Sequence, residues 1–325
     1  MSSISFDTTD RLMWTTMNRR RMSLIFINRS SSRIVINYII VTVLLLSVVS
    51  TACDAASPRP NPMKATWLWD TSLISTLENR QAVLQFAKEQ SIGRIYVQVN
   101  PDVAKNTYRA FIQEAVQAGI QIHALDGAPN WIRSDQQQYI VSMVKWVKDY
   151  NASVLENERF SGIQVDIEPY VLPEWHNERD VTVSSWITAM TLFTNEVKHD
   201  STLTVSASLP FWLHEISIPD ESSIRLNAKF IGMLDEVTLM SYRDQAEALI
   251  EITADDLALA DQLGKKVFVG VETNPSSEAA FVSFYEEGRA VLNQQLTLID
   301  DSLKGHASYA GIAVHDYTGW KNLKP

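Results

Sequence analysis

Residues 160–170 carry two carboxylates at the spacing expected of a catalytic β-strand. Because side chains alternate between the two faces of a strand, Gln164, Asp166 and Glu168 share one face, and aliphatic side chains share the other. Pro169 has no N–H to extend a ladder, so the strand is predicted to end just after Glu168. One carboxyl beside another can share a proton with it and raise its pKa, which suits a general acid. Glu168 is the predicted acid; the alternative is a surface strand whose acids are merely solvated.

The elements that would position these acids form an alternating series of strands and helices. Strands that follow one another at roughly 25–40 residues must be parallel, because each return needs a crossover. Eight such units over about 260 residues predict one α/β domain, a (β/α)8 TIM barrel with a vestigial last helix, over residues 64–325. An open doubly wound sheet is disfavoured, since no glycine-rich turn follows the first strand. The predicted strands are residues 65–69, 94–99, 120–125, 162–168, 203–209, 236–241, 266–272 and 309–315.

Polar and aromatic residues collect at the predicted C-terminal ends of the strands, where such barrels build their active sites. Inward-facing polar groups are costly unless they are paired or used. Tryptophan faces suit sugar rings, and polar groups around them suit the hydroxyls. The predicted ligand is therefore an oligosaccharide or polysaccharide. The predicted substrate-binding residues are Trp69, Gln98, Asn100, Asp126, Trp131, Gln164, Trp212, Arg243, His315 and Asp316.

Composition narrows the possible functions further. Without the six arginines and two aspartates of residues 1–53, the chain keeps 22 basic and 36 acidic residues, a net charge of −14. An acidic body without a basic cluster argues against nucleic acid as a partner. The single cysteine argues against disulfides and cysteine metal sites. No metal-binding or serine-nucleophile motif is present, so no metal and no cofactor are predicted.

The first 53 residues have the pattern of an export signal: an arginine-rich start, an apolar run over residues 34–49, and small residues before Cys53. The end of this leader resembles the lipobox of bacterial lipoproteins. That resemblance implies lipidation of Cys53 and a place in the bacterial cell envelope, lipid-anchored to the membrane. A single N-terminal transmembrane anchor and ordinary secretion are the alternatives. Residues 54–63 are proline-rich and predict a semi-extended tether.

Two short motifs resemble the family 18 glycoside hydrolases, the chitinase family. Residues 160–168 resemble its fourth-strand signature, and residues 240–242 resemble its sixth-strand motif. The resemblance implies that Glu168 is the catalytic acid and that Asp166 orients the N-acetyl group of the substrate. It also implies that Tyr242 supports a cyclic intermediate.

The chain departs from the family 18 pattern at three positions. Ser161 and Gln164 stand where the signature has its first two aspartates, and Arg243 replaces the aspartate that usually follows the tyrosine. The missing inner carboxylate weakens the proton relay that the family builds through Asp166. These departures mark a divergent relative.

A second enzymatic interpretation uses Glu272. Glu168 at the end of the fourth strand and Glu272 at the end of the seventh resemble the acid/base and nucleophile of the large retaining (β/α)8 glycosidase clan. Ile167 stands where that clan usually has asparagine, which counts against it. Outside enzymes, the chain could be a non-catalytic glycan-binding envelope lipoprotein, or a barrel that serves envelope assembly without a sugar. The preferred interpretation is an exported, membrane-anchored glycoside hydrolase-like protein with Glu168 as general acid.

Overall fold

Eight parallel strands close into a barrel in the computed structural model, which describes residues 62–325. Each strand pairs with its neighbours in chain order, and the last pairs with the first. The predicted leader with Cys53 and nearly all of the tether lie outside the described residues, although Met63 already belongs to the first strand. The strands are β1 (Met63–Leu68), β2 (Ile92–Gln98), β3 (Gln121–Asp126), β4 (Gly162–Val165), β5 (Thr204–Pro210), β6 (Glu236–Met240), β7 (Lys266–Glu272) and β8 (Tyr309–His315).

A helix follows every strand, as the predicted (β/α)8 fold requires, and this prediction is confirmed. The last helix has only six residues, and the side chain of Asp316 caps it by accepting the Gly319 N–H. Within residues 62–325, no helix is both long and apolar enough to cross a bilayer. The helices are α1 (Leu77–Glu89), α2 (Lys105–Gln117), α3 (Gln138–Ala152), α4 (Arg179–Lys198), α5 (Leu226–Met233), α6 (Ala246–Leu263), α7 (Arg289–Leu303) and α8 (Tyr317–Asn322).

The spacing of apolar residues predicts helices over residues 222–231 and 278–302, and the structure differs from both predictions at the start of the segment. Residues 222–225 belong instead to the second strand of a small β-hairpin, Ser217–Ile218 and Glu221–Arg225, and α5 begins only at Leu226. The pattern over 278–302 becomes helical only at Arg289, because Gly288 has a φ of +88° that interrupts the helical backbone. Both segments therefore add non-helical structure, one after β5 and the other after β7.

The barrel interior is closed by buried polar and aromatic side chains. Arg94 is buried near the N-terminal ends of the strands, where it hydrogen-bonds Glu236 and Gln121 and lies 5.1 Å from the centre of the Phe268 ring. Pairing of this kind offsets the cost of burying a charge. Inward-facing polar residues near the N-terminal ends of the strands are thus at least partly structural. The inward-facing residues near the C-terminal ends remain available for chemistry.

A second buried polar pair joins α5 to α6. Asn227 Nδ2 donates to Asp256 Oδ1 at 2.7 Å, and both residues are buried. Asn227 Oδ1 has no partner among residues 62–325. Burial raises the pKa of Asp256 despite the hydrogen bond from Asn227. Folding therefore favours the protonated carboxyl.

An Asp256→Asn variant should be more stable than the parent at neutral pH, by about 1–2 kcal/mol. The amide keeps an acceptor for Asn227 and adds a donor that Asn227 Oδ1 lacks. Because the pKa of Asp256 is higher in the folded state, its ionisation lowers the free energy of unfolding as pH rises above about 4. Urea unfolding at pH 4 and pH 7.5 measures this, and the variant should gain stability mainly at the higher pH. An equal gain at both pH values would contradict the assignment.

Candidate active site

The two acids of the opening stretch lie just beyond β4, not within it as predicted. The strand ends at Val165, and the Asp166 N–H still donates to the Asp126 carbonyl at 3.1 Å. A 3-10 turn over Pro169–Val171 then bends the chain. A Cβ at Gly127 would lie 2.1 Å from the Asp166 carbonyl oxygen, so the β3 loop can pass this close only with glycine there.

Asp166 and Glu168 interact beyond the end of β4. Burial, followed by the charge and hydrogen bonding of Glu168, raises the pKa of Asp166 well above its usual value. Asp166 Oδ1 is buried and has no partner within residues 62–325. The carboxyl whose pKa is raised is thus Asp166. The sequence alone predicts instead that Asp166 raises the pKa of Glu168. The two carboxyls can hold one proton between them.

Tyr170 supports Glu168 from the 3-10 turn. Its hydroxyl donates to Glu168 Oε2 at 2.7 Å. The ring packs edge-on against Trp212, with centres 5.2 Å apart, and lies beside Trp175. Burial and the charge of Glu168 raise the pKa of Tyr170, so the phenol remains a donor. Sequence reasoning assigned Tyr170 no role, although it lies only two residues after Glu168.

Tyr242 reaches the mouth from the end of β6. Burial raises the pKa of its phenol well above the usual value, and the charges of Glu272, Asp166 and Glu168 raise it further. Its ring centre lies 6.1 Å from that of His315. The raised pKa keeps the phenol neutral, and within the described residues its hydroxyl makes no hydrogen bond.

Glu272 is held by both of its oxygens at the end of β7. Oε1 accepts the backbone N–H groups of Thr273 and Asn274 at 2.8 and 2.7 Å, and the Asn274 side-chain amide at 2.9 Å. Oε2 lies 2.8 Å from His315 Nδ1. Burial alone would raise the pKa of Glu272, but His315 and these amides lower it below the usual value. Glu272 is therefore a fixed carboxylate.

His315 connects Glu272 to Trp69. The indole N–H of Trp69 donates to His315 Nε2 at 3.2 Å, and an indole nitrogen can only donate. Burial lowers the pKa of His315, yet Glu272, Asp316 and Glu168 raise it overall. The contact with Trp69 forms only with a neutral ring that carries its proton on Nδ1, whereas the raised pKa favours a protonated ring, so protonation of His315 would break this contact. A hydrogen-bonded chain thus joins β1, β8 and β7 across the mouth.

The other predicted binding residues fall into two groups. Several lie at the mouth but already serve a loop: Asn100 accepts the Asp102 N–H at 2.9 Å, and Asp316 caps α8. Asp126 accepts the Gly127 N–H at 3.0 Å, and burial raises its pKa although Gly127 and Gln98 oppose the shift. These groups can still meet a ligand with their remaining atoms.

Gln164 and Trp131, both predicted to bind substrate, are buried in the structure. Gln164 is 0% exposed, and its amide donates to Thr238 across the barrel at 3.0 Å. Trp131 is 7% exposed and stacks on Tyr139, with ring centres 6.3 Å apart. Gln164 therefore forms the layer beneath Asp166, and Trp131 packs the wall, in contrast to the predicted substrate contacts.

No family model and no curated protein matches this sequence. Solved structures share its fold. A chitinase from Bacteroides thetaiotaomicron has a TM-score of 0.51 at 11% identity, over 80% of this chain and 91% of that chain. A GH18 chitinase from Pseudoalteromonas aurantia has a TM-score of 0.51 at 10% identity, over 78% and 94%. The spore cortex-lytic enzyme SleL from Bacillus cereus has a TM-score of 0.51 at 11% identity, over 82% and 74%. The chain is a divergent (β/α)8 barrel with the fold of the family 18 glycoside hydrolases.

Proposed function

We propose that this protein is a glycoside hydrolase that cleaves a polysaccharide containing N-acetylated amino sugars. The observation that carries this proposal is that Asp166, Glu168 and Tyr242 meet at the barrel mouth, where both carboxyls raise the pKa of the Tyr242 phenol. Chitinases among the solved structures with this fold support the substrate class. A carboxyl pair with one shared proton and an adjacent neutral donor suits cleavage of a glycosidic bond.

Glu168, Asp166 and Tyr242 have different roles in the proposed reaction. Glu168 delivers the shared proton to the glycosidic oxygen as the bond from that oxygen to C1 breaks. The carbonyl oxygen of the neighbouring acetamido group bonds to C1, while Asp166 accepts the acetamido N–H and Tyr242 donates to the acetamido oxygen. Water then attacks C1 as the bond from C1 to the acetamido oxygen breaks, and Glu168 takes the proton of the water, which restores the acetamido group and the starting state of the site.

The carboxyls are well suited to the charge that develops at C1. Proton delivery leaves two carboxylates, Asp166 and Glu168, beside a cationic ring. Tyr170 continues to donate to Glu168 and stabilises the carboxylate that forms. In a site shielded from water, such fixed groups stabilise a transition state more than they would in bulk solvent.

A retaining mechanism with Glu272 as nucleophile is the second candidate. The lowered pKa of Glu272 favours this role, because a nucleophile must be ionised. Its hydrogen bonds count against it. Four donors from His315, Thr273 and Asn274 occupy its two oxygens, and attack on C1 would have to displace at least one.

Three variants separate the two mechanisms on an N-acetylglucosamine tetramer. For substrate assistance, we expect Asp166→Asn and Tyr242→Phe each to lower kcat/KM by about 100-fold, and Glu272→Gln by less than about tenfold. Reducing-end release and mass spectrometry of the quenched protein provide the readouts. Loss of turnover in Glu272→Gln, together with a covalent glycosyl adduct on the parent that this variant lacks, would support the retaining mechanism instead.

Export and membrane attachment complete the proposal. The leader pattern supports lipidation at Cys53, which would place the barrel in the cell envelope on a short tether. Acyl labelling of the parent and of Cys53→Ser tests this, since an uncleaved transmembrane anchor or free secretion would leave both unlabelled. A glycan-binding lipoprotein, by contrast, would bind the tetramer without releasing products.

A further inference from the structure

Arg243 occupies an unusual position at the mouth. It follows Tyr242 directly, and its guanidinium carbon lies over two phenyl rings, 5.1 Å from the centre of Phe211 and 5.3 Å from that of Phe281. The two rings come from the loops after β5 and β7, so the arginine ties both loops to the end of β6. The Asp244 N–H donates to the Phe281 carbonyl at 2.9 Å and holds this arrangement together.

The charge of Arg243 has no counterion within residues 62–325. Its one hydrogen bond runs from Nη1 to the Tyr242 carbonyl at 2.7 Å, and no carboxylate lies within ion-pair distance. Four other arginines of the described chain pair with glutamates: Arg80, Arg94, Arg109 and Arg133. A guanidinium has five N–H donors, so most of those on Arg243 remain available.

The stacking decides which group can use those donors. The faces of the two phenyl rings contact the guanidinium but offer it no oxygen, so its remaining N–H donors can bind another acceptor. A carboxylate takes two parallel N–H bonds from a guanidinium edge and neutralises the charge. A neutral hydroxyl accepts one bond and leaves the cation unpaired. The geometry therefore favours an anionic oxygen pair over a sugar hydroxyl.

We propose that Arg243 binds a carboxylate carried by the glycan, so that the substrate is an acidic polymer with a carboxylate on a sugar next to the one being cleaved. This rests on the proposed function, because Tyr242, the residue before Arg243, contacts the sugar at the cleaved bond. Nearby acids such as Asp126, Glu272 and Asp316 repel a carboxylate elsewhere in the mouth. Arg243 therefore fixes the register in which the chain binds. A uronic acid and a lactyl ether both offer this chemistry.

Four probes test the proposal by calorimetry in a Glu168→Gln background, where binding is measured without turnover. They are a neutral N-acetylglucosamine tetramer, a peptide-free strand alternating N-acetylglucosamine and N-acetylmuramic acid, the same strand with its carboxylates converted to methyl amides, and a hyaluronan tetramer. We expect at least one carboxylate-bearing probe to bind more than tenfold tighter than its uncharged counterpart. The probe that does so identifies the source of the carboxylate.

Arg243→Gln should remove that preference, and Arg243→Lys should remove most of it, because an ammonium neither stacks nor binds in a bidentate way. Arg179→Gln is the matched control, since Arg179 also stacks on an indole, 4.8 Å from Trp175, but is exposed at the start of α4. Thermal melts show that each variant is folded. The inference is overturned if neither the acid strand nor the hyaluronan tetramer binds tighter than its uncharged counterpart, even if the parent cleaves the neutral tetramer. Arg243-dependent preference without any cleavage would uphold it and reject the hydrolase function.

Discussion

A Glu168→Gln variant should bind the N-acetylglucosamine tetramer as the parent does but hydrolyse it about 10²–10⁴-fold more slowly. Glutamine keeps the shape of glutamate and has no proton to give to the glycosidic oxygen. Tyr170, which donates to Glu168 Oε2, can donate equally to an amide oxygen, so the local structure should be kept. Steady-state reducing-end assays together with binding calorimetry separate the lost chemistry from any lost binding.

Glu247→Gln is the control for this experiment. Glu247 is an exposed glutamate in the first turn of α6, so its replacement should leave turnover and binding unchanged. Full activity in Glu168→Gln would remove Glu168 from the acid role. Asp166 could replace Glu168 as the acid only if it reached the leaving oxygen. Both glycosidase mechanisms proposed above use Glu168 as the acid, so both would fail together.

The barrel was predictable because strand spacing and face alternation are local properties of the chain. The predicted ranges of β7 and β8 agree with the structure, since their apolar runs are clearly bounded on both sides. The predicted fourth strand was too long by three residues. Alternation continues through Asp166 and Glu168, but the ladder stops at Val165, and nothing in the side-chain pattern signals where the ladder ends.

The sequence could not predict how deep an inward-facing side chain lies along the barrel axis. Alternation correctly turned Gln164 inward, but an inward residue can line the mouth or lie beneath it. The partner of Gln164 is Thr238, which is 74 residues away in the chain. Packing across the closed barrel, rather than any local pattern, buries that amide beneath Asp166.

The hydrogen-bonded chain of Trp69, His315 and Glu272 illustrates the same limit. Each residue was predicted at the mouth, because each ends a strand. Their contacts join positions up to 246 residues apart, and they depend on the order in which the barrel closes. Only the structure shows that Glu272 is held by four donors, which counts against the nucleophile role that the sequence offered for it.

Closure of the barrel itself depends on one glycine of β8. Gly311 pairs with Met63 of β1 and has a φ of +135°, which L-residues with a side chain rarely adopt. A Cβ there would lie 1.8 Å from the Met63 carbonyl oxygen, a backbone atom that cannot rotate away. The first and last strands can therefore meet at this register only with glycine at position 311.

A Gly311→Ala variant should lose at least about 3–4 kcal/mol of unfolding free energy, since backbone strain and displacement of β1 add together. Gly232→Ala is the matched control. Gly232 lies exposed in α5 with no heavy atom within 4 Å of an added Cβ, so alanine should stabilise the protein by about 0.5–1 kcal/mol. Urea denaturation of both variants measures the contrast. A small loss of stability in Gly311→Ala would mean that β1 can shift along β8. The acids at the mouth depend on the same closed barrel, so they would then tolerate more movement than their short hydrogen bonds imply.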